Sequence, residues 1–513
     1  MTFFRRMFCA ALLCAHPAFA QDVTLSARDG AIQIDGTLLS YDGEFYRVDT
    51  IYGPLTLDGE GVTCAGPGCP DLDAFVAEVT FSGTRYIGDV LMPALIQSYA
   101  AQQQFSVLRE VEDDTHSTFV LRDADRVRAR FTLRSSSTAE GYADLIADAA
   151  DIAMVLREPD PSELELAALI EPRPLTRDRR ARVLALDGLI AIVAPDQPIK
   201  AIGLAELSKI FQGEIASWSE IGGIAETILP LAPPENTGIH EALFSRVIAP
   251  FGPGAIQSAQ SFTDPDALAD QVADTANALG LGTLSTVGNA VPMRLKGACG
   301  FEQVASVTSL RTEDYPLTLP LMLYTPPRRL PLLAREFLGF IRSPAADLVI
   351  RRAGYVDQAI TESAFNELGD RLAHAISNVG AETPLPELQR LVETLRDRTR
   401  LSTTFRFESG VRLDVQSSEN IARLAQALET GRFDGASLMF VGFSDGQGPA
   451  QDNKALALRR AELVLDAVKS AAPIADFDQI TLSAESFGEV LPMACDDTAW
   501  GRAVNRRVEV WLK

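Results

Sequence analysis

The sequence predicts a multidomain protein of the α/β and α+β classes, and three features point there. Its 513 residues exceed what one hydrophobic core usually spans. Short alternating strands set between Asp-Gly turns give way near Asp73 to strands that run straight into hydroxyl-rich helix starts. Near the end, a strand, a Gly-rich loop and a helix are followed by one more alternating strand at residues 508–512.

Residues 1–20 are expected to be a secretory signal. Arg5 and Arg6 precede an apolar run at 7–13, and Ala18-Phe19-Ala20 supplies a small-x-small cleavage site. The run is too short to span a bilayer. Leu13, before Cys14, is bulky where lipid attachment wants a small residue. The mature chain is therefore expected in the periplasm.

The net charge of −23 shows no basic patch or stripe, which excludes nucleic acid and acidic lipid surfaces as partners. It also works against anionic ligands at long range, so any anion site must rely on local amides and hydroxyls. Past the signal, Cys64 and Cys69 bracket a tight Gly/Pro loop that could close as a local disulfide. Cys299 and Cys495 lie in different regions, and a bridge between them would pin the last domain to the middle one. Four cysteines allow three connectivities, so that pairing stays open. The remaining histidines, His116, His240 and His374, have no ligand spacing to the cysteine pairs, and no metal or cofactor is expected.

Residues 21–72 alternate apolar and polar positions between Asp29-Gly30, Asp35-Gly36 and Asp42-Gly43. A small all-β packing or spacer module is expected.

Residues 73–356 read as α/β. A strand at 75–81 meets Ser82, Gly83 and Thr84 before a helix carrying Ile87, Leu91 and Leu95. A strand at 130–133 meets Ser135, Ser136, Ser137 and Thr138 before a helix through Leu145. A third strand at 150–155 runs into Arg157. Such turns gather hydroxyls and free amide N–H groups into an anion cradle, although any one of these hydroxyls is ordinarily a helix cap. Together they resemble the periplasmic phosphate-binding component of ABC importers. The FSGTRYIGDVLMPAL opening, Ser135 to Thr138, the DIAMVLRE strand, and Asp187-Gly188, Phe211, Gly213-Glu214-Ile215, Trp218 and Gly222-Gly223 carry the likeness. It implies a two-lobed periplasmic-binding-protein-like domain closing on a small anion, phosphate being one candidate. The phosphate-specific pattern Arg-x-Asp-x-Ser-Gly-Thr is replaced here by Glu235, Asn236, Thr237 and Gly238, without the Arg. Arg157 is the expected substitute. A buried Glu235 would favour a protonated or weakly charged ligand over a dianion.

Residues 357–400 are expected to be a helical connector, two short helices broken at Pro384 and Pro386. The alternative is that the second helix packs onto the sheet that follows.

In residues 401–513, a strand at 437–443 ends at Asp445, a loop spans 446–449, and a helix is expected to start with Asp452 or Asn453 as N-cap, placing Arg460 two turns in. A carboxylate and a guanidinium so placed form a bipolar clamp for a zwitterionic amino-acid head, although such a pair is more commonly a plain surface ion pair. Gly442-Phe443-Ser444-Asp445, Asn453, Leu456-Ala457, Arg460-Ala461 and Asn505-Arg506-Arg507-Val508-Glu509 resemble the OmpA-like peptidoglycan-binding domain. The resemblance implies that Asp445 and Arg460 hold the diaminopimelate of a stem peptide, with Ser444 and Asn453 around it. Ala457 replaces the family's usual Ser. Bracing of the final sheet is the competing role for Asn505, Arg506 and Arg507.

No hydrolase elbow, zinc-protease helix, P-loop or dinucleotide fingerprint is present, so no enzyme is expected. His240 could approach Ser135 to Ser137 only through the fold. Two functions remain: a wall-tethered solute receptor, or a structural envelope tether whose lobes bind protein rather than ligand. No transporter or sensor partner is identified by the sequence.

Overall fold

The computed structural model describes residues 22–513 except 29, 73, 171–174, 176–179, 327 and 378–383. The expected signal segment and Asp29 of the first Asp-Gly turn lie outside the described residues.

The first sheet is antiparallel in the order Gly53–Asp58, Phe45–Thr50, Gln33–Tyr41, Asp22–Ala27, Val62–Ala65. Alternation turns Val23, Leu25, Tyr46 and Val48 inward to a small core. The Cys64–Cys69 disulfide closes its last strand. The module is docked on the neighbouring domain: Arg329 Nε lies 2.7 Å from Asp42 Oδ2, Arg335 Nη2 lies 2.6 Å from Glu44 Oε2, and the Arg329 guanidinium covers the Phe45 ring at 3.9 Å.

One sheet then runs through both lobes of the middle domain. Its crossing element is the strand Ala181–Val193, an almost continuous apolar run, as expected where both faces are covered. Residues 181–188 pair with Thr318–Tyr324 of the first lobe, and residues 189–193 pair with Ala278–Thr283 of the second. In the first lobe Ala77–Thr84 lies parallel to Arg126–Ser136 and to Ile152–Val155. The hydroxyl segment 82–84 is thus strand rather than turn, because its ladder continues through Ser82↔Arg134 to Thr84↔Ser136.

The last sheet has the order Glu362–Ala364, Thr399–Ser409, Arg507–Leu512, Ser437–Phe443, Thr481–Gly488. Alternation splits its faces. Leu438, Phe440, Val508 and Val510 meet Val415–Glu429 and Ala450–Ala471, whereas Val441, Phe443 and Trp511 meet Leu388, Leu391 and Leu395 of Leu385–Leu395. Of the two expectations for residues 357–400 the alternative holds: the helix Leu385–Leu395 packs on this sheet as its second cover. Its apolar positions need a partner surface, which Leu368 and Ala375 offer together with Val441, Phe443 and Trp511 of the sheet.

This third domain touches both lobes. Arg342, on the first lobe, holds Glu419 through two 2.6 Å bonds. Cys299, on the second lobe, is disulfide-bonded to Cys495. Between these, Arg400 Nη2 donates to Asp314 Oδ1 at 2.9 Å.

Candidate functional site

The C-terminal cluster is built by a strand pressed onto a helix. A Cβ on Gly442 would lie 2.0 Å from the Ala457 carbonyl oxygen, so only glycine lets Ser437–Phe443 approach Ala450–Ala471 this closely. That approach puts Asp445 within electrostatic reach of Arg460 on the helix. The helix starts at Ala450 behind Pro449, earlier than expected, so Asn453 is not its cap. It lies one turn inside, buried.

Asp445 and Arg460, the two arms of the expected clamp, each have a different protein partner. Asp445 Oδ2 is 2.8 Å from Arg506 Nη1. Arg460 instead donates Nε to the Gly410 carbonyl at 2.9 Å and lies over the Phe407 ring at 5.1 Å. Burial, then the Arg506 charge, push its pKa below the ordinary arginine value, and Asp445 pulls the other way, so the three groups share one field. Ser444 Oγ, Asn453 Nδ2 and Arg460 Nη1 are buried with no partner. Each belongs to a residue singled out by spacing. Arg506 was left between two roles; its membership follows from the turn after Asn505, where the chain enters its last strand.

Asn505 and Arg507 brace the structure. Asn505 Oδ1 accepts from the Met493 and Ala494 N–H groups at 2.6 and 3.0 Å, and its Nδ2 donates to Asp496 Oδ1 at 2.8 Å. Arg507, fully buried, donates Nε to Glu509 Oε1 at 2.8 Å. Arg371 and Arg400 also face Glu509 and hold its carboxyl well below the usual range against the opposing effect of burial.

The second cluster lies between the lobes. Ser82, Thr84, Ser135, Ser137 and Thr138 are all buried, and Thr84, Ser137 and Thr138 meet the second lobe there. Most are already engaged. Ser82 Oγ donates to Asp144 Oδ2 at 2.6 Å, Thr84 accepts from the Tyr86 N–H, Ser136 Oγ lies 3.4 Å from the Gly83 carbonyl, and Ser137 caps Thr138–Ile146 by accepting from the Glu140 N–H. Thr138 Oγ1 accepts from the Leu156 N–H at 3.3 Å.

Arg157, the expected substitute for the missing arginine, is paired with Glu163, which takes its two terminal nitrogens at 2.7 and 2.8 Å. Asn236 and Glu235 are exposed. Asn236 has φ +66°, the left-handed conformation that Asn tolerates, and so forms the turn. Thr237 caps Gly238–Leu243 through the His240 N–H. The His240 ring is tied to the Pro233 carbonyl at 3.1 Å.

The carboxylate facing this cleft is Glu241, which sequence reasoning missed. Its only sequence signal is its place in the first turn of Gly238–Leu243. Burial raises its pKa, while Arg157, the Ser137 hydroxyl and the Ala139 N–H oppose the rise. The lobes are latched nearby. The Tyr86 hydroxyl of the first lobe donates to Asp187 and lies 2.8 Å from Thr283 Oγ1 and 2.7 Å from Ser285 Oγ in the second. Among the described residues no His/Cys/Asp/Glu group could hold a metal, and no helix is long and apolar enough to cross a membrane.

Residues 93–345 match the family described as a PBP superfamily domain. The phosphate-binding protein PstS of Bacillus subtilis (strain 168) is 26% identical over 189 residues, which cover 35% of this chain and 59% of that protein. The chain thus spans under two thirds of the length of this curated relative. Among solved structures, an ABC-type phosphate transport receptor from Vibrio cholerae aligns with a TM-score of 0.42 and 18% identity, over 54% of this chain and 99% of the receptor. The periplasmic domain of Helicobacter pylori MotB aligns with a TM-score of 0.19 and 20% identity, over 23% of this chain and 74% of that domain. Residues 93–345 are therefore similar to the PBP superfamily domain and lie in a two-lobed α/β domain, with further domains on both sides.

Proposed function

We propose that this is an exported, non-enzymatic periplasmic protein held on the cell wall by its C-terminal domain, with a two-lobed domain of the oxyanion-receptor design. The observation that carries the wall-binding reading is the set of buried, unpartnered atoms on Ser444, Asn453 and Arg460 beside the Asp445–Arg506 pair. Buried donors are normally satisfied, and a ligand is what would satisfy these. A diaminopimelate head fits the chemistry: its ammonium goes to Asp445, and its carboxylate to the Arg460 and Arg506 guanidinium groups. Co-sedimentation with purified sacculi tests this reading, with retention expected for the full chain and its loss on Asp445→Ala.

For the lobes, the family likeness and the buried hydroxyls support a small oxyanion, phosphate among the candidates. The second reading, a tether whose lobes take no solute, is favoured by the closed cleft. A Cβ on Gly238 of the second lobe would lie 2.4 Å from Thr84 Oγ1 and 3.2 Å from Thr138 Oγ1 of the first. Calorimetry with phosphate, sulfate and organic anions separates the two, since a lobe pair that takes no solute gives no heat at millimolar ligand.

A further inference from the structure

We propose that Glu241 is the specificity-determining residue of the lobes: its carboxylate sits in the oxyanion seat as an internal ligand, and any solute must displace it. The proposal rests on the oxyanion-receptor reading of the lobes and deepens it.

The seat is identified from the first lobe alone. The helix Thr138–Ile146 starts behind its Ser137 cap, with the Ala139 amide free of any earlier helical partner and the buried hydroxyls of Thr84, Ser137 and Thr138 around it. An anion arriving there would meet a helix N-terminus and hydroxyl donors. In this structure the group that meets them comes from the second lobe. The Ser137 hydroxyl and the Ala139 N–H both act on the Glu241 carboxyl, and the Arg157 charge reaches it from the side. The other carboxylate oxygen, Oε2, is buried without a partner.

Backbone packing explains why Glu241 reaches this far. Gly238 opens the helix Gly238–Leu243 directly against Thr84 and Thr138, and a side chain at that position would push the lobes apart. Three residues on, Glu241 lies on the same helix face as Gly238 and so points at the first lobe. Arg157, the cation best placed to draw in a dianion, is neutralised by Glu163. The seat therefore holds one built-in negative charge and lacks the free guanidinium that would attract a second. A free oxyanion competes with a carboxylate tethered to the same polypeptide, whose effective concentration is in the millimolar range or above.

The test uses the full chain and compares wild type with Glu241→Ala in thermal unfolding at constant ionic strength, against acetate, acetamide and inorganic phosphate. Acetate restores the missing carboxylate, so it is expected to raise the Tm of Glu241→Ala and leave wild type unmoved. Acetamide, of the same shape but uncharged, is expected to do neither. Phosphate is expected to bind Glu241→Ala at least about tenfold more tightly than wild type. Rescue by acetate without any response to phosphate keeps Glu241 as the internal ligand and overturns the phosphate-type reading instead. An Ala variant unmoved by acetate overturns the internal-ligand proposal, whatever phosphate does. Should Glu241→Ala fail to fold, Glu241→Ser carries the same comparison with the same outcomes.

Discussion

Asp445 pairs with Arg506 at 2.8 Å, and by doing so leaves Arg460 facing the same site with an unpartnered terminal nitrogen. One carboxylate thus sits between two guanidinium groups, only one of which it neutralises directly. Asp496 adds a second carboxylate at the same loop, accepting from the Gly446 N–H at 2.7 Å, so the site presents charges of both signs, which suits a ligand whose carboxylate and ammonium lie side by side.

Arg506 is expected to act in binding and not in folding. Its pair with Asp445 is partly exposed, and such pairs contribute about 0–1 kcal/mol to stability. Arg506→Ala should therefore leave the urea midpoint almost unchanged while weakening retention on sacculi about tenfold, since every 1.4 kcal/mol of lost contact is a factor of ten.

Arg507, its neighbour in sequence, should behave in the opposite way. It is fully buried beside Glu509, where Arg371 and Arg400 also converge. Removing one member of a buried ionic group costs about 3–5 kcal/mol. Arg507→Ala is expected to lower the unfolding free energy by that amount in urea titration, and to lose wall binding only as far as the domain unfolds.

Glu313 sets a pH dependence. It lines a cavity of about 190 Å³ between the lobes and the last domain, together with Arg246 and Arg406. Burial, then the Asp414 carboxylate, raise its pKa to about 8, with Arg406 opposing. The folded protein therefore holds a proton that the unfolded chain releases near the usual glutamate value. This contribution to stability is complete below pH ~4.5, shrinks as pH rises, and is lost once pH passes about 8. Glu313→Gln keeps the group neutral, so its urea midpoint should change less between pH 6 and pH 9 than that of wild type.

The Cys299–Cys495 bridge closes a loop of 196 residues in sequence and joins the second lobe to the last domain. Cross-links over loops of this size restrict the unfolded chain and contribute about 3–5 kcal/mol. Cys299→Ser is expected to lower Tm and to speed proteolysis between the middle and last domains, read by limited digestion against wild type.

The elements with strong local signals were legible in the sequence. The strand Ser437–Phe443 falls where its alternation places it, and Asp445, in the loop after it, acts on Arg460 of the helix Ala450–Ala471, as one strand–loop–helix unit allows. What spacing could not show was partner choice. Arg506 reaches Asp445 across 61 residues, a contact that depends on tertiary approach, whereas Glu163 pairs with Arg157 locally, from the first turn of Pro161–Ile170. Glu235 was the carboxylate next to the hydroxyl motif, yet it faces solvent while Glu241 turns inward. A helix start in a turn region is hard to fix to within one turn, and that turn decides which acid enters the cleft. Residues 385–395 stayed between connector and sheet cover for a related reason: their apolar stripe is clear, but the surface it covers lies in another segment.

The most direct measurement is retention of the full chain on purified sacculi, comparing wild type with Asp445→Ala and Arg460→Ala, each confirmed folded by circular dichroism. Each substitution removes one of two opposite charges around the proposed ligand and should cost about 2–5 kcal/mol of binding, enough to abolish retention. Wild type is expected in the pellet and both variants in the supernatant. Equal retention of all three proteins would contradict the proposed wall site.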